Sequence, residues 1–137
     1  MTINNTDWRP RTNHPDFYQA LEKNNIFTNF SYSFGIALAL GYVAKKRSKE
    51  QPSKRFVETR VLVTYSNRPE EYPMFWDFTN FVFDHYAEGK DEKEQLKDLE
   101  KIAEGGIEFL MEQSLEDIPD MAKVIQQIKE SAEQAST

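Results

Sequence analysis

Apolar residues recur every three or four positions over most of the chain, a spacing typical of amphipathic α-helices. The pattern is clearest over 91–113, whose apolar face consists of Leu96, Leu99, Ala103, Gly106 and Leu110. Helical spacing and capping residues predict four further helices, which lie between Asn13 and Asn24 and near 30–47, 74–87 and 118–134. We therefore expect a mainly α fold, built as a compact bundle of about five helices.

The helix predicted at 91–113 and the last predicted helix each contain a helix-breaking residue type. Gly105 and Gly106 lie inside the 91–113 pattern, where each glycine costs about 1 kcal/mol relative to alanine. The pair therefore indicates either a kink or a close crossing with another helix. In the last helix, Pro119 falls in the predicted first turn, where the missing backbone N–H is tolerated.

One segment favours a strand over a helix. Residues 60–65 are rich in β-branched and aromatic side chains, and no second convincing strand follows from the pattern. At most one short strand, at about 60–65, is therefore expected. Two interpretations stay open: the strand pairs across a homodimer, or the segment is an extended connector.

A long uncharged stretch, residues 26–44, precedes the basic cluster Lys45-Lys46-Arg47. Its first half contains Thr28, Asn29, Ser31 and Ser33, so the apolar run is confined to 34–44. At about 1.5 Å per residue, a helix of this length is too short for a hydrocarbon core of about 30 Å. We therefore predict a buried helix and no stable membrane insertion.

The chain length suits a single domain, since 137 residues and 16.1 kDa provide material for one core. Residues 1–12 are polar and show no periodicity, so they are expected to form a flexible arm. The helical domain is expected to span 13–134, and residues 135–137 to form a frayed tail.

Composition argues against several classes of chemistry. The chain has no cysteine and two histidines, which excludes disulfides, thiolate metal sites and cysteine nucleophiles. No phosphate-binding glycine motif and no metal-ligand spacing occurs, so we predict no cofactor, no metal and no catalytic residue. The enzyme alternative is a hydrolase that uses Asp77, Asp84 and His85, with a carboxylate orienting the histidine as a general base.

The formal charge of -6 is unevenly distributed. Residues 1–70 carry eleven Lys/Arg and six Asp/Glu, whereas residues 71–137 carry six Lys and seventeen Asp/Glu. The positive excess is concentrated in a basic segment that comprises Lys45, Lys46, Arg47, Lys49, Lys54, Arg55 and Arg60. This segment is expected to contact DNA phosphates, a protein partner or the acidic half of the same chain, or to be a solvated surface.

A second charged feature lies on the helix predicted at 91–113. Glutamates recur there at every fourth position and form an acidic ridge on one helix face: Glu100, Glu104, Glu108 and Glu112. Like charges at this spacing repel one another by a few tenths of a kcal/mol, which a partner of opposite charge would offset. The ridge is therefore a candidate partner-binding surface.

The run FGIALALGYVAKKR, residues 34–47, is followed by a polar loop and a short hydrophobic segment. Over about residues 26–65 this arrangement resembles the small accessory proteins of bacterial DNA phosphorothioation systems. The resemblance implies a cytoplasmic bacterial protein that works with DNA sulfur modification or the associated restriction of foreign DNA. It implies no catalytic residues.

Together these patterns predict a non-enzymatic accessory protein of a DNA modification or anti-phage restriction system. It would act through the basic segment and the acidic ridge, with a protein as the expected partner and DNA as a further candidate. The principal alternative is a protein–protein adaptor or regulatory subunit with no nucleic-acid contact.

Overall fold

The computed structural model describes residues 10–23, 30–56, 75–115 and 118–119, together with positions 123, 126, 129 and 130. Its helices are α1 (Pro15–Lys23), α2 (Phe30–Val43), α3 (Phe75–His85) and α4 (Glu92–Glu112). Its strands have two residues each and are β1 (Arg11–Thr12), β2 (Arg55–Phe56), β3 (Ser114–Leu115) and β4 (Ile118–Pro119). The strands pair antiparallel, β1 with β2 and β3 with β4.

The mainly helical class is confirmed. The described residues contain four full helices, slightly fewer than the five or so predicted, and each lies where apolar spacing places one. Asp91 caps α4 by accepting a hydrogen bond from the backbone N–H of Glu94 at 2.9 Å. This bond satisfies one of the amides that the first turn leaves without an intrahelical partner.

The start predicted for the last helix is wrong. Ile118–Pro119 belongs to a hairpin, in which Ser114 pairs with Pro119 and Leu115 with Ile118. Proline fits either context, because its missing N–H is as acceptable at the edge of a two-stranded ladder as in a first helical turn. Positions 123, 126, 129 and 130 are helical. The strand expected at 60–65 and the tail 135–137 lie outside the described residues.

Helix α2 ends at Val43, before the predicted end at residue 47. Lys45 adopts a left-handed backbone with φ of 56° and begins the turn. Its N–H donates to the Tyr42 carbonyl at 3.3 Å, and the N–H of Lys46 donates to the Gly41 carbonyl at 2.8 Å. This pair of bonds is the Schellman arrangement, which satisfies carbonyls at a helix end. The basic cluster therefore leaves the helix and enters a loop.

Residues 10–12, expected to belong to a flexible arm, are folded onto the domain. Pro10 is buried, Thr12 is 1% exposed, and Arg11–Thr12 pairs with Arg55–Phe56. A two-residue strand has no hydrophobic period, so the sequence pattern carries no sign of it. Residues 1–9 of the predicted arm lie outside the described residues.

The centre of the fold is a close crossing of α2 and α4. A Cβ placed on Gly106 would overlap the carbonyl oxygen of Ala37, and one on Gly41 would overlap the carbonyl oxygen of Ile102. The helix backbones are therefore in direct contact, which only residues without a side chain allow at these two positions. Of the two interpretations of the Gly105-Gly106 pair, the close crossing is the one confirmed.

Large apolar side chains surround this crossing. Those that are nearly inaccessible to solvent come from all four helices and include Tyr18, Leu21, Phe34, Leu38, Val82, Leu99, Ile102, Ile107 and Leu110. Residues of α1 and α3 pack against the α2–α4 pair, so the core is continuous across the helices. The outer face of α4 is left for the polar segments described below.

Gly106→Ala is expected to destabilise the fold by about 2 kcal/mol or more, because the added methyl must push two helix backbones apart. The higher helix propensity of alanine offsets at most about 1 kcal/mol of this loss. Chemical denaturation measures the difference, with the exposed Met111→Ala variant on the same helix as the control. A Gly106→Ala protein as stable as that control would contradict the crossing.

Candidate functional site

Arg47 ties the loop after α2 to α4. Its Nε donates to Oδ1 of Asp98 at 3.0 Å and its Nη2 donates to Oδ2 at 2.9 Å. The same Nη2 donates to the carbonyl oxygen of Tyr86 at 3.0 Å, and the guanidinium lies 4.3 Å from the centre of the Tyr86 ring. The hydrogen bonds to Asp98 are the main reason that the pKa of Arg47 is raised. Arg47, predicted as part of a binding patch, is therefore engaged within the fold.

The four lysines of the basic segment behave differently from Arg47. Lys45, Lys46, Lys49 and Lys54 are exposed, and none forms an ion pair with another residue in the described part of the chain. Arg55 lies in β2, where the structure describes its backbone only, and Arg60 lies outside the described residues. The lysines lie on or just before the segment 46–54, which we call the lysine loop.

The acidic ridge is divided between the interior and the surface. Glu100 and Glu104 are 8% and 2% exposed, whereas Glu108 is half-buried and Glu112 is exposed. Oε1 of Glu100 accepts from the backbone N–H of Arg11 at 3.0 Å, and Oε2 accepts from Nε2 of Gln51 at 3.1 Å. Glu100 is thus bound by the chain itself in this structure, and its role in binding a partner stays a prediction.

Glu104 is also engaged within the chain. It accepts from Oγ1 of Thr12 and from the backbone N–H of Asn13, both at 2.6 Å. Burial is the largest effect on its pKa and raises it, while the two hydrogen bonds and the charge of His14 act in the opposite direction. The repulsion from Glu108 raises this pKa further. All four glutamates of the ridge lie on α4 at helical spacing. Sequence spacing cannot show which part of a helix face another segment covers.

An open cleft of about 790 Å³ separates the lysine loop from α4. The loop contributes the cations Lys46, Lys49 and Lys54, and α4 contributes the carboxylates Glu104, Glu108 and Glu112. Oε1 of Glu108 is buried and accepts no hydrogen bond within the described structure. A buried carboxylate oxygen without a donor is unfavourable, so this atom favours a ligand that carries an N–H or O–H group.

Two residues of the hydrolase alternative, Asp84 and His85, do not line this cleft. Asp84 and His85 are exposed at the end of α3, and the His85 ring lies 4.8 Å from the ring of Phe81. The side chain of Asp77 lies outside the described part. Among the described residues, no group of three or more His, Asp or Glu side chains is arranged to hold a metal ion.

Several residues of the site have no signal in the sequence. Thr12, Asn13 and Gln51 bind carboxylates of α4 that are 92, 91 and 49 positions away along the chain. Asp98 belongs to the predicted helix but not to the predicted ridge. Each is a polar residue with no motif around it, so no local pattern distinguishes it from surface residues.

The sequence matches no model of a known protein family, and it has no match among curated proteins or solved structures. Among the described residues, no helix is both long enough and apolar enough to cross a membrane.

The raised pKa of Glu104 predicts a specific pH dependence of stability. The folded state keeps a proton on Glu104 at pH values where the unfolded chain has lost it, so stability decreases as pH rises from about 4.5 through the folded pKa. Glu104→Gln lacks this titration. The free energy of unfolding of the wild type, measured by urea denaturation, should therefore fall relative to that of the variant across this range.

The matched control is Glu112→Gln, which removes an exposed carboxylate from the same helix. Its pH profile should parallel that of the wild type. Parallel profiles for the wild type and Glu104→Gln would show that burial does not raise this pKa.

Proposed function

We propose that this chain is a non-enzymatic interaction protein, and that the cleft between the lysine loop and α4 binds a segment of a partner protein bearing both basic and acidic side chains. The single observation that carries the proposal is Glu108, which lines a cleft with cations on its other side and whose buried Oε1 lacks a donor within the described structure. A basic side chain of the partner would supply that donor.

The charges lining the cleft favour a polypeptide over a nucleic acid. Lys46, Lys49 and Lys54 are cations of the lining that form no ion pair among the described residues, and four carboxylates also line the cleft: Glu50, Glu104, Glu108 and Glu112. A phosphate backbone would gain from the lysines and be repelled by the glutamates. A polypeptide of mixed charge can instead place its acids against the loop and its bases against the helix.

DNA is a second candidate, because Lys45 is exposed outside the cleft lining and continues the row of loop lysines. Such lysines bind phosphates without reading bases. The resemblance of residues 26–65 to accessory proteins of DNA phosphorothioation systems supports the same candidate. Whether the partner is a protein or DNA, we propose an accessory role in DNA modification or anti-phage restriction.

Fluorescence anisotropy with four labelled probes tests the proposal: short peptides of alternating Arg and Glu, of Arg alone and of Glu alone, and a short DNA duplex. The alternating peptide should bind most tightly. Glu108→Gln should weaken its binding by at least about tenfold, since a charge-assisted hydrogen bond contributes about 1.5–3 kcal/mol. Lys49→Glu/Lys54→Glu should weaken it as well.

The controls are Glu88→Gln and Lys90→Glu, which change exposed charges outside the cleft. Both should bind like the wild type. The proposal is overturned if the alternating peptide does not bind, or if Glu108→Gln binds it as tightly as the wild type. Salt-sensitive binding of the duplex that Lys45→Glu/Lys46→Glu abolishes and Glu108→Gln does not affect would establish the DNA candidate instead.

A further inference from the structure

Residues 10–14, which we call the latch, lie between α4 and the lysine loop. On the helix side, Glu100 accepts from the backbone of Arg11, and Glu104 accepts from Thr12 and Asn13. Oγ1 of Thr12 also accepts from the N–H of His14 at 2.9 Å, which closes a local turn. The latch therefore uses two of the four carboxylates of the acidic ridge.

The other side of the latch holds the far end of the lysine loop. Oδ1 of Asn13 accepts from the backbone N–H groups of Ser53 and Lys54, at 3.0 and 3.2 Å. Nη1 of Arg11 donates to the carbonyl oxygen of Ser53 at 3.1 Å, and β1 pairs with β2 immediately afterwards. Asn13 thus binds α4 through its backbone and the loop through its side chain.

The near end of the loop is anchored without the latch. Arg47 binds Asp98, and the N–H of Ser48 donates to the carbonyl oxygen of Lys101 at 2.9 Å. The two ends of the loop therefore have independent attachments to α4. Releasing the latch would free Ser53 and Lys54, while Arg47, Ser48 and Gln51 keep the rest of the loop on α4.

We propose that the latch is an autoinhibitory element of the cleft: closed, it covers Glu100 and Glu104, and released, it frees the end of the loop and extends the acidic side of the cleft. This inference rests on the proposed function, because it concerns the regulation of the same site. A basic partner segment would compete with Thr12 and Asn13 for the Glu104 carboxylate. The hydrogen bonds that the latch donates to that carboxylate come from a neutral hydroxyl and a neutral backbone N–H, so a guanidinium is the stronger donor.

Thr12→Val/Asn13→Ala weakens both sides of the latch while it keeps the backbone N–H of Asn13. Amide hydrogen exchange on the full chain should show faster exchange at Ser53 and Lys54, with the protection of α4 unchanged. Asn13→Ala alone should reproduce this effect, which keeps the test valid if the double variant unfolds. Gln19→Ala, an exposed change on α1, should exchange like the wild type.

Anisotropy with the all-Arg peptide provides the second readout, where the double variant should bind several-fold more tightly than the wild type. Unchanged exchange at Ser53 and Lys54 would overturn the coupling between latch and loop. Faster exchange without tighter peptide binding would overturn the autoinhibition. Failure of the wild type to bind any peptide overturns the proposed function alone. The latch is still tested in that case, because the exchange measurement requires no partner. The variant with the weakened latch can also be tested with the all-Arg peptide.

Discussion

The α2–α4 backbone contact is the constraint on which the rest of the structure depends. With Gly41 and Gly106 at the crossing, the carbonyl groups of each helix lie against the backbone of the other. The same approach brings the backbone of Lys46 against Gly105, the residue before Gly106 on α4. The chain that leaves α2 therefore begins its loop on the surface of α4. The cleft, its lysine side and its glutamate side all follow from that starting point.

Buried carboxylates of α4 bind the segments that lie next to the crossing and fix their positions. Asp98 accepts from Arg47 and from the backbone N–H of Glu88, and Glu104 accepts from Thr12 and Asn13. A carboxylate withdrawn from water is costly unless donors replace its hydration, so each of these residues binds a particular segment in a particular position. In this way α4 holds the chain before α1, the loop after α2 and the turn after α3. The Arg47–Asp98 ion pair and the hydrogen bonds to these carboxylates thus fix the arrangement of the segments as well as stabilising it.

The sequence predicted the parts of this structure that depend on local spacing. The apolar faces of α1, α3 and α4 arise from residues within a few positions of one another, and the Gly105-Gly106 pair indicated either a kink or a close crossing, of which the structure shows the crossing. The polar contacts between distant segments could not be predicted, because Arg47 meets Asp98 across 51 positions and Thr12 meets Glu104 across 92. Lys45 and Arg47 are equivalent in a count of basic residues. The left-handed turn at Lys45 makes one of them a surface cation and the other an internal anchor.

This division changes what the net charge of -6 implies for binding. An acidic chain with a basic segment suggests two opposed surfaces, one for an anionic partner and one for a cationic partner. In the structure, charged residues of both signs are bound within the fold. They are Arg47 of the basic segment, Asp98, and Glu100 and Glu104 of the acidic ridge. Lys46, Lys49 and Lys54 line one cleft together with Glu108 and Glu112. A partner that matches this cleft must therefore present both signs of charge within a short distance, which a polypeptide segment does readily and a uniform polyanion does not.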